Sequence, residues 1–274
     1  MAEIGLARAA RARLPSLRPE TRLRIATLVV LWIVWEAMAR SGLFYRDIVP
    51  SSFSVAAALG ALLADGGFYV HLWTTTYEVV AGFAIGASAG ILLGILFGAR
   101  PFLGKVADGY VLTLASAPKV VFLPILMTLF GVDVGSKIAM AALSAFFPIV
   151  LSTAAGMRLV NPTFVKVGRS FNLRPTQMIA KIYLPSLAVP VLTGLRLGLG
   201  VSIVGTLIAE IKLSKAGLGY LAIQYYDLFR IPEMYAVIVV IFVLAAGANR
   251  LMTRLGARAG RFGTPNAAEA ADGA

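Results

Sequence analysis

Residues 164–190, FVKVGRSFNLRPTQMIAKIYLPSLAVP, form a polar and basic interruption in the second half of a very apolar chain. Apolar segments long enough to cross a lipid bilayer flank this stretch on both sides. It has no acidic side chain, and its four cations are Lys166, Arg169, Arg174 and Lys181. Because loops rich in lysine and arginine stay on the cytoplasmic side of a membrane, we predict a cytoplasmic loop between two membrane spans.

The composition extends this interpretation to the whole chain. Of 274 residues, 59% are hydrophobic and 14% are charged, and the mean hydropathy is +0.83. Such values exclude an ordinary soluble domain and a disordered chain. The length accommodates about six spans of roughly 20 residues each and leaves no room for a soluble catalytic domain. We therefore predict an all-α polytopic membrane protein with about six transmembrane helices.

The net charge of +12 would suit a nucleic-acid-binding protein if the basic residues covered one face of a soluble module. Most of the 25 lysines and arginines fall instead in segments predicted to be cytoplasmic, which is the asymmetry that orients a membrane protein. No nucleic-acid partner is therefore expected. The absence of cysteine excludes disulfides and thiol chemistry.

Both termini are predicted to be cytoplasmic. Residues 1–24 form a basic segment that runs into an uncleaved first span at 25–39, because Glu36 and Arg40 follow where a signal peptide would have its cleavage site. The transmembrane domain is predicted over 25–255, with its core over about 70–255, and residues 256–274 are predicted to be a cytoplasmic, disordered tail. The later spans are predicted at 70–98, 106–131, 136–157, 187–211 and 234–251. Short outer-surface helices are predicted after Pro50 and within 212–233.

The second predicted span carries a glycine at every fourth position, at residues 82, 86, 90, 94 and 98. Four residues advance a helix by slightly more than one turn, so these glycines form one groove that a neighbouring helix can approach closely. The neighbour is a helix of the same subunit or one of a second copy. Pro118 and Pro148 interrupt the third and fourth predicted spans.

No catalytic or metal-binding set can be assembled from this sequence. The single histidine, His71, lies at a predicted membrane edge without convergent partners. Gly104-Lys105 fails as a phosphate-binding loop, because Ala99 and Val106 stand where the pattern needs glycine and Ser or Thr. We therefore predict that the chain is not an enzyme and binds no cofactor, so that any ATPase, with its ATP and Mg²⁺, is a separate subunit.

Ionisable residues inside predicted spans are candidates for a translocation path, because an unpaired charge is costly there. The candidates are Glu36, Glu78, Lys119, Arg196 and Glu210, together with the helix break at Pro118. Counting about 1.5 Å of rise per residue places Glu78 level with Lys119, and Glu36 level with Arg196. Two ion pairs are therefore predicted, either as structural pairs or as the lining of a path.

The basic loop has internal structure of its own. Arg174-Pro175 is typical of a helix start, and Met178, Ile179, Ile182 and Tyr183 fall on one face of the helix that follows. This apolar strip packs either on a partner protein or on the protein's own spans.

The same loop resembles the "EAA" loop of the permeases of binding-protein-dependent ABC importers. Ile182, Leu184 and Pro185 match its Ile-x-Leu-Pro ending, Asn172 stands at its glycine, and Lys166, Val167 and Gly168 stand at its Glu-Ala-Ala. Asn172 preserves the turn, because asparagine tolerates positive φ. Lys166 reverses the charge that the family presents to the ATPase.

The resemblance runs from about Ile48 to Leu255. Over this range the sequence resembles the nitrate, sulfonate and taurine branch of the family. The segments that carry it are Ile48–Ser51, Ala117–Lys119, Ala145–Ile149, Leu192–Leu197 and Ala216–Tyr220.

The resemblance implies the permease subunit of an importer in a bacterial inner membrane, working as a homodimer. Its implied partners are two ATPase subunits on the loop Phe164–Pro185, a periplasmic or lipid-anchored binding protein, and membrane lipid. The implied substrate is a small anionic or heteroaromatic nutrient such as nitrate, a sulfonate, taurine, an aromatic carboxylate or a pyrimidine. The alternative is a stand-alone secondary transporter or channel, which would favour inverted repeats.

Overall fold

The computed structural model describes residues 19–42 and 48–260. All regular elements of these residues are helical, which confirms the predicted all-α class. The helices are α1 (Pro19–Arg40), α2 (Ser52–Ala64), α3 (Gly66–Ala99), α4 (Pro101–Ser116), α5 (Leu123–Phe130), α6 (Val134–Arg158), α7 (Pro162–Ser170), α8 (Pro175–Met178), α9 (Leu184–Leu213), α10 (Leu218–Asp227) and α11 (Ile231–Gly260). A 3₁₀ turn, Lys119–Phe122, precedes α5, and a π-turn, Ile179–Tyr183, joins α8 to α9. Most of the predicted basic segment 1–24, and most of the predicted tail, lie outside the described residues.

Among the described residues, four helices are long and apolar enough to cross a bilayer: α3, α6, α11 and the continuous helix Pro175–Lys212. A fifth crossing results if α4 and the short helices after it form one bent span. The helix α1, which contains the predicted first span, is not among them. The predicted count of six therefore stays a prediction.

The chain divides into two compact units, residues 1–57 and 58–274. In the first unit, two indole N–H groups of α1 donate hydrogen bonds to the segment that follows this helix. Trp32 donates to Ser52 Oγ over 3.0 Å and Trp35 donates to the carbonyl of Pro50 over 3.1 Å.

In the second unit, the glycines of α3 lie directly against α6. A Cβ added at Gly90 would lie 2.9 Å from Cβ of Ile149, and one added at Gly94 would lie 2.6 Å from Cβ of Thr153. Only a residue without a side chain permits this approach. The predicted groove is confirmed, and its neighbour is a helix of the same chain.

The opposite side of α6 receives glycines of α9 in the same manner. An added Cβ at Gly198 would lie 2.7 Å from Cδ1 of Ile149, which is fully buried. Ile149 therefore contacts both neighbours at glycines, and α3, α6 and α9 form the tightly packed centre of this unit.

The chain bends sharply at Pro118. The axes of α4 and of the helical segment Lys119–Phe130 meet at 94°. Pro118 has extended backbone angles, φ −61° and ψ 111°, so the helix stops before it. The predicted break at Pro118 is confirmed.

The predicted loop 164–185 is a helical hairpin rather than an irregular connection. α7 ends in a left-handed turn at Asn172, φ 52°, where Leu173 N–H donates to the Gly168 carbonyl and Asn172 N–H to the Arg169 carbonyl. This is the helix-ending hydrogen-bond pattern that favours Gly or Asn. The turn predicted at Asn172 is thus confirmed.

The second arm of the hairpin differs from the prediction. Pro185 does not end a loop, because the helix from Pro175 continues through it into the span. The π-turn carries the chain past the proline, with Leu184 N–H donating to the carbonyl of Ile179, five residues back.

α10 packs through its buried residues Leu218 and Leu221 against a cluster that includes Leu62, Phe68 and Val237. It follows Gly217, whose φ of 113° is a conformation that side chains rarely adopt.

Candidate coupling and translocation sites

The hairpin of α7 and α8 is held together at Gly168. This glycine is buried, and an added Cβ would lie 2.6 Å from Cδ1 of Ile182 and 2.9 Å from Sδ of Met178. Met178 and Ile182 therefore pack within the hairpin itself, which is neither of the two alternatives stated from the sequence, a partner protein or the protein's own spans. Ile179, from the same strip, is 57% exposed.

The outer surface of the hairpin combines exposed apolar and cationic side chains. Phe171, at the turn, is 78% exposed, and Phe164, Val167 and Leu184 are also exposed. The predicted loop residues Lys166 and Arg169 are exposed between them. Exposed apolar groups clustered in this way mark an interaction surface or a lipid contact.

A basic cleft of about 580 Å³ lies where α7 meets the ends of α3 and α6 and the start of α4. Its cationic lining residues are Arg158, Lys166 and Arg169. Arg158 is paired with Asp108 of α4 at 2.8 Å. Lys166 and Arg169 have no such carboxylate within the described part of the chain. The hairpin thus presents two cations without intramolecular counter-ions.

A second cavity, of about 490 Å³, is enclosed by the bend at Pro118 together with α6 and α9. Its lining is almost wholly apolar apart from Lys119 and Ser144. The Lys119 ammonium donates to the carbonyl of Ala115 and lies 5.5 Å from the centre of the Phe147 ring. No carboxylate of the described residues lies within ion-pair distance of Lys119.

The predicted ion pair of Glu78 with Lys119 is not formed, and Glu36 and Arg196 each have a partner within their own unit. Glu36 accepts from Arg40 Nε at 2.7 Å and from the hydroxyl and N–H of Ser52. Arg196 instead donates to Oδ1 of Asn249 at 2.8 Å. Glu78 is buried beside Glu210, away from the Lys119 cavity. Spacing along a helix does not say which way a side chain faces, so equal counts did not predict these partners.

Glu210 anchors the amino-terminal end of α10. Its carboxylate accepts from the Thr75 hydroxyl and from Gly219 N–H, both at 2.6 Å. Thr75 accepts in turn from Leu218 N–H at 2.7 Å, and Nδ1 of His71 accepts from Gly217 N–H at 3.1 Å. Three successive backbone donors are therefore bound by side chains of α3 and α9.

Sequence reasoning missed three residues of this junction. Thr75 and Lys137 were not considered, and His71 was taken to be without convergent partners. Lys137 is 3% exposed and donates to the carbonyl of Val132 at 3.0 Å. The available signal was the pattern His71, Thr75 and Glu78, which places three polar groups along one face of an apolar helix.

Curated proteins similar to this chain are permeases of ABC transporters. The candidate aliphatic sulfonates transport permease SsuC of Bacillus subtilis is 28% identical over 215 residues, which is 78% of each chain. The taurine transport permease TauC of Escherichia coli is 28% identical and covers 86% of this chain and 89% of its own. The nitrate import permease NrtB of Synechocystis is 27% identical, with 83% and 85% covered.

The fold is also found among solved structures. A chain of the MetNI methionine ABC transporter in an inward-facing conformation aligns with a TM-score of 0.56 and 21% identity, covering 74% of this chain and 97% of its own. A second crystal form of that transporter gives a TM-score of 0.53. The family described as the inner membrane component of binding-protein-dependent transport systems matches residues 88–261, and the chain belongs to that family of ABC transporter permeases.

Proposed function

We propose that the chain is the transmembrane subunit of an ATP-driven importer. It works as a homodimer with both termini in the cytoplasm. A binding protein delivers the substrate on the outer side, and two ATPase subunits dock on the α7–α8 hairpin. The substrates named for the relatives support a small anionic nutrient such as a sulfonate, taurine or nitrate.

The observation that carries this proposal is the continuity of the hairpin with a membrane-spanning helix. Pro175–Lys212 is one helix of 38 residues, about 57 Å long at 1.5 Å per residue. The hydrocarbon core of a bilayer is about 30 Å thick, so one end of this helix extends well beyond it. A displacement of α8 would therefore be passed directly into the span.

The same helix reaches both candidate sites inside the protein. Val201, Val204 and Gly205 of α9 line the Lys119 cavity, and Glu210 of α9 anchors α10. A force applied to the hairpin by an ATPase is thus transmitted to the cavity and to the outer end of the molecule. ATP and Mg²⁺ are bound by the ATPase, and this chain contributes the mechanical response.

The hairpin surface has the chemistry of a docking site for an acidic partner. Phe164, Phe171 and Ile179 supply exposed apolar area, and Lys166 and Arg169 supply positive charge. Aromatic groups at the centre of a contact and charges around them are typical of protein interfaces. The cognate ATPase is expected to present carboxylates opposite Lys166.

The Lys119 cavity supports the proposal that the substrate is an anion. Its volume lies within the range of about 300–1,000 Å³ that small-molecule sites occupy. An ammonium group in an apolar cavity attracts an anion strongly, because the surrounding dielectric is low. Lys119 is the residue that we assign to the substrate, and Pro118 places it there by ending α4.

Three substitutions in the hairpin test this proposal. Lys166→Glu reverses the charge of an exposed residue. Asn172→Val puts a β-branched residue at φ 52°, which costs about 1–2 kcal/mol. Met178→Asp puts a carboxylate against buried Gly168. Each is expected to reduce co-purification of the ATPase and substrate-stimulated ATP hydrolysis.

Matched controls separate docking from general damage. Asn172→Gly keeps the left-handed turn and is expected to behave as the wild type. Lys212→Glu changes an exposed charge at the far end of α9 and is expected to leave assembly intact. Normal assembly and normal stimulated hydrolysis in all three hairpin variants would contradict the proposal.

A further inference from the structure

Two carboxyl groups and one ammonium group are buried together where α3, α6 and α9 meet. The exposed fractions are 1% for Glu78, 0% for Glu210 and 3% for Lys137. Thr75 of α3 bonds to Glu210, and Glu78 lies one helical turn from Thr75 on the same face. Both Glu210 and Lys137 are close enough to act electrostatically on Glu78.

The charges of this cluster do not balance if every group is ionised. Lys137 compensates one carboxylate, and the second would remain as an unpaired negative charge inside a membrane protein. An unpaired charge is unfavourable there, so a proton on one carboxyl group is the more stable arrangement. His71 also neighbours the cluster: it accepts a hydrogen bond from Gly217 N–H through Nδ1, and its ring stacks on that of Tyr220 of α10. From α10, the N–H groups of Leu218 and Gly219 also point into the cluster.

The hydrogen bonds distinguish the two carboxyl groups. Glu210 accepts one hydrogen bond on each oxygen, from Thr75 and from Gly219 N–H. Among the described residues no hydrogen-bond donor reaches either oxygen of Glu78, whose carboxyl group faces that of Glu210. An ionised carboxylate is stabilised by hydrogen-bond donors, whereas a protonated carboxyl group carries an O–H donor of its own. The two donors at Glu210 therefore favour the negative charge on Glu210 and the proton on Glu78.

We propose that Glu78 and Glu210 form a proton-binding site, with the proton on Glu78 and the charge on Glu210. The charged Glu210 holds the N–H groups at the start of α10, and the neutral Glu78 avoids repelling it. Loss of the proton would place two like charges together and loosen the attachment of α10. This inference concerns the chain itself and depends neither on the substrate nor on the ATPase.

Infrared spectroscopy of the full-length chain in dodecyl maltoside, a detergent without ester carbonyl groups that absorb in the same region, tests the proton directly. At about pH 8 surface carboxyl groups are ionised, so a carbonyl stretch of a protonated acid is expected from Glu78 alone. The band should disappear in Glu78→Gln and persist in Asp227→Asn, which alters an exposed carboxylate of α10. Absence of the band in the wild type, or its persistence in Glu78→Gln, would overturn the proposal. Should Glu78→Gln fail to fold, Glu78→Asp replaces it, with a shifted band as the expected result and an unshifted band overturning the proposal.

Thiol labelling tests the attachment of α10. The chain has no cysteine, so Leu221→Cys introduces a single buried reporter. Raising the pH should accelerate labelling more in the Leu221→Cys chain than in the same chain with Glu78→Gln, because only the former can lose the proton. Equal acceleration in both chains would contradict the proposed role of the proton.

Discussion

Lys119 is the residue whose surroundings bear most directly on transport. It occupies an apolar cavity, is stabilised by the Ala115 carbonyl and the face of Phe147, and has no counter-ion among the described residues. Carbonyl and ring contacts compensate part of the cost of burying a cation. An anion passing through the cavity would compensate the rest of that cost.

Replacing Lys119 by methionine is therefore expected to reduce uptake of an anionic substrate. A hydrogen bond to a charged group contributes about 1.5–3 kcal/mol, so the expected loss is about tenfold to a hundredfold. Lys119→Arg keeps the charge and should retain much of the activity. Uptake into proteoliposomes measures both variants, with Lys212→Met as a control on an exposed lysine. Undiminished uptake by Lys119→Met would exclude Lys119 from the substrate path.

For single residues, the sequence identified ionisable groups within apolar segments but not their partners. Glu36, Glu78 and Glu210 are buried, whereas Arg196 is exposed. Glu36, Glu78, Lys119, Arg196 and Glu210 are recognisable because ionisable residues are rare in apolar segments. Their partners depend on the 94° bend at Pro118 and on the rotation of each helix, and neither is encoded in the spacing. Asn172 was predictable because its left-handed turn is a local property.

At the scale of elements, the contact between α3 and α6 determines how closely the central helices approach. Gly90 faces Ile149, whereas Gly200 of α9 faces open space. Alanine is the better helix former by about 1 kcal/mol. The two glycines therefore make a matched pair for testing whether close packing or helix propensity dominates.

Gly90→Ala is expected to lower the thermal stability of the purified permease, because overpacking a tight contact costs about 1–3 kcal/mol. Gly200→Ala should be neutral or slightly stabilising. Melting temperatures in detergent measure both effects. Equal melting temperatures for Gly90→Ala and the wild type would show that the α3–α6 contact is looser than the structure indicates.

The elements themselves were predicted with unequal success. The glycine spacing predicted the α3–α6 contact, because a four-residue period fixes one helical face. The continuity of α8 with α9 was missed, because Pro185 usually signals a helix end. A π-turn alters the hydrogen-bond register just before that proline, and no local sequence rule announces this.

Over the whole molecule, we propose one function for each end of a single long helix. The end at Pro175 carries the hairpin surface, and the end at Glu210 holds α10, with the Lys119 cavity between them. A passive carrier or channel has no need of a docking hairpin rigidly joined to a span. An ATP-driven importer requires one.

The most direct measurement is uptake by proteoliposomes that contain this permease with its cognate ATPase, supplied with the binding protein and a labelled anionic substrate. We expect uptake only when ATP, the ATPase and the binding protein are all present, and we expect Lys166→Glu to bind the ATPase poorly and to lose uptake. Uptake by the permease alone, driven by a proton or sodium gradient without ATP, would contradict the account and identify a secondary transporter.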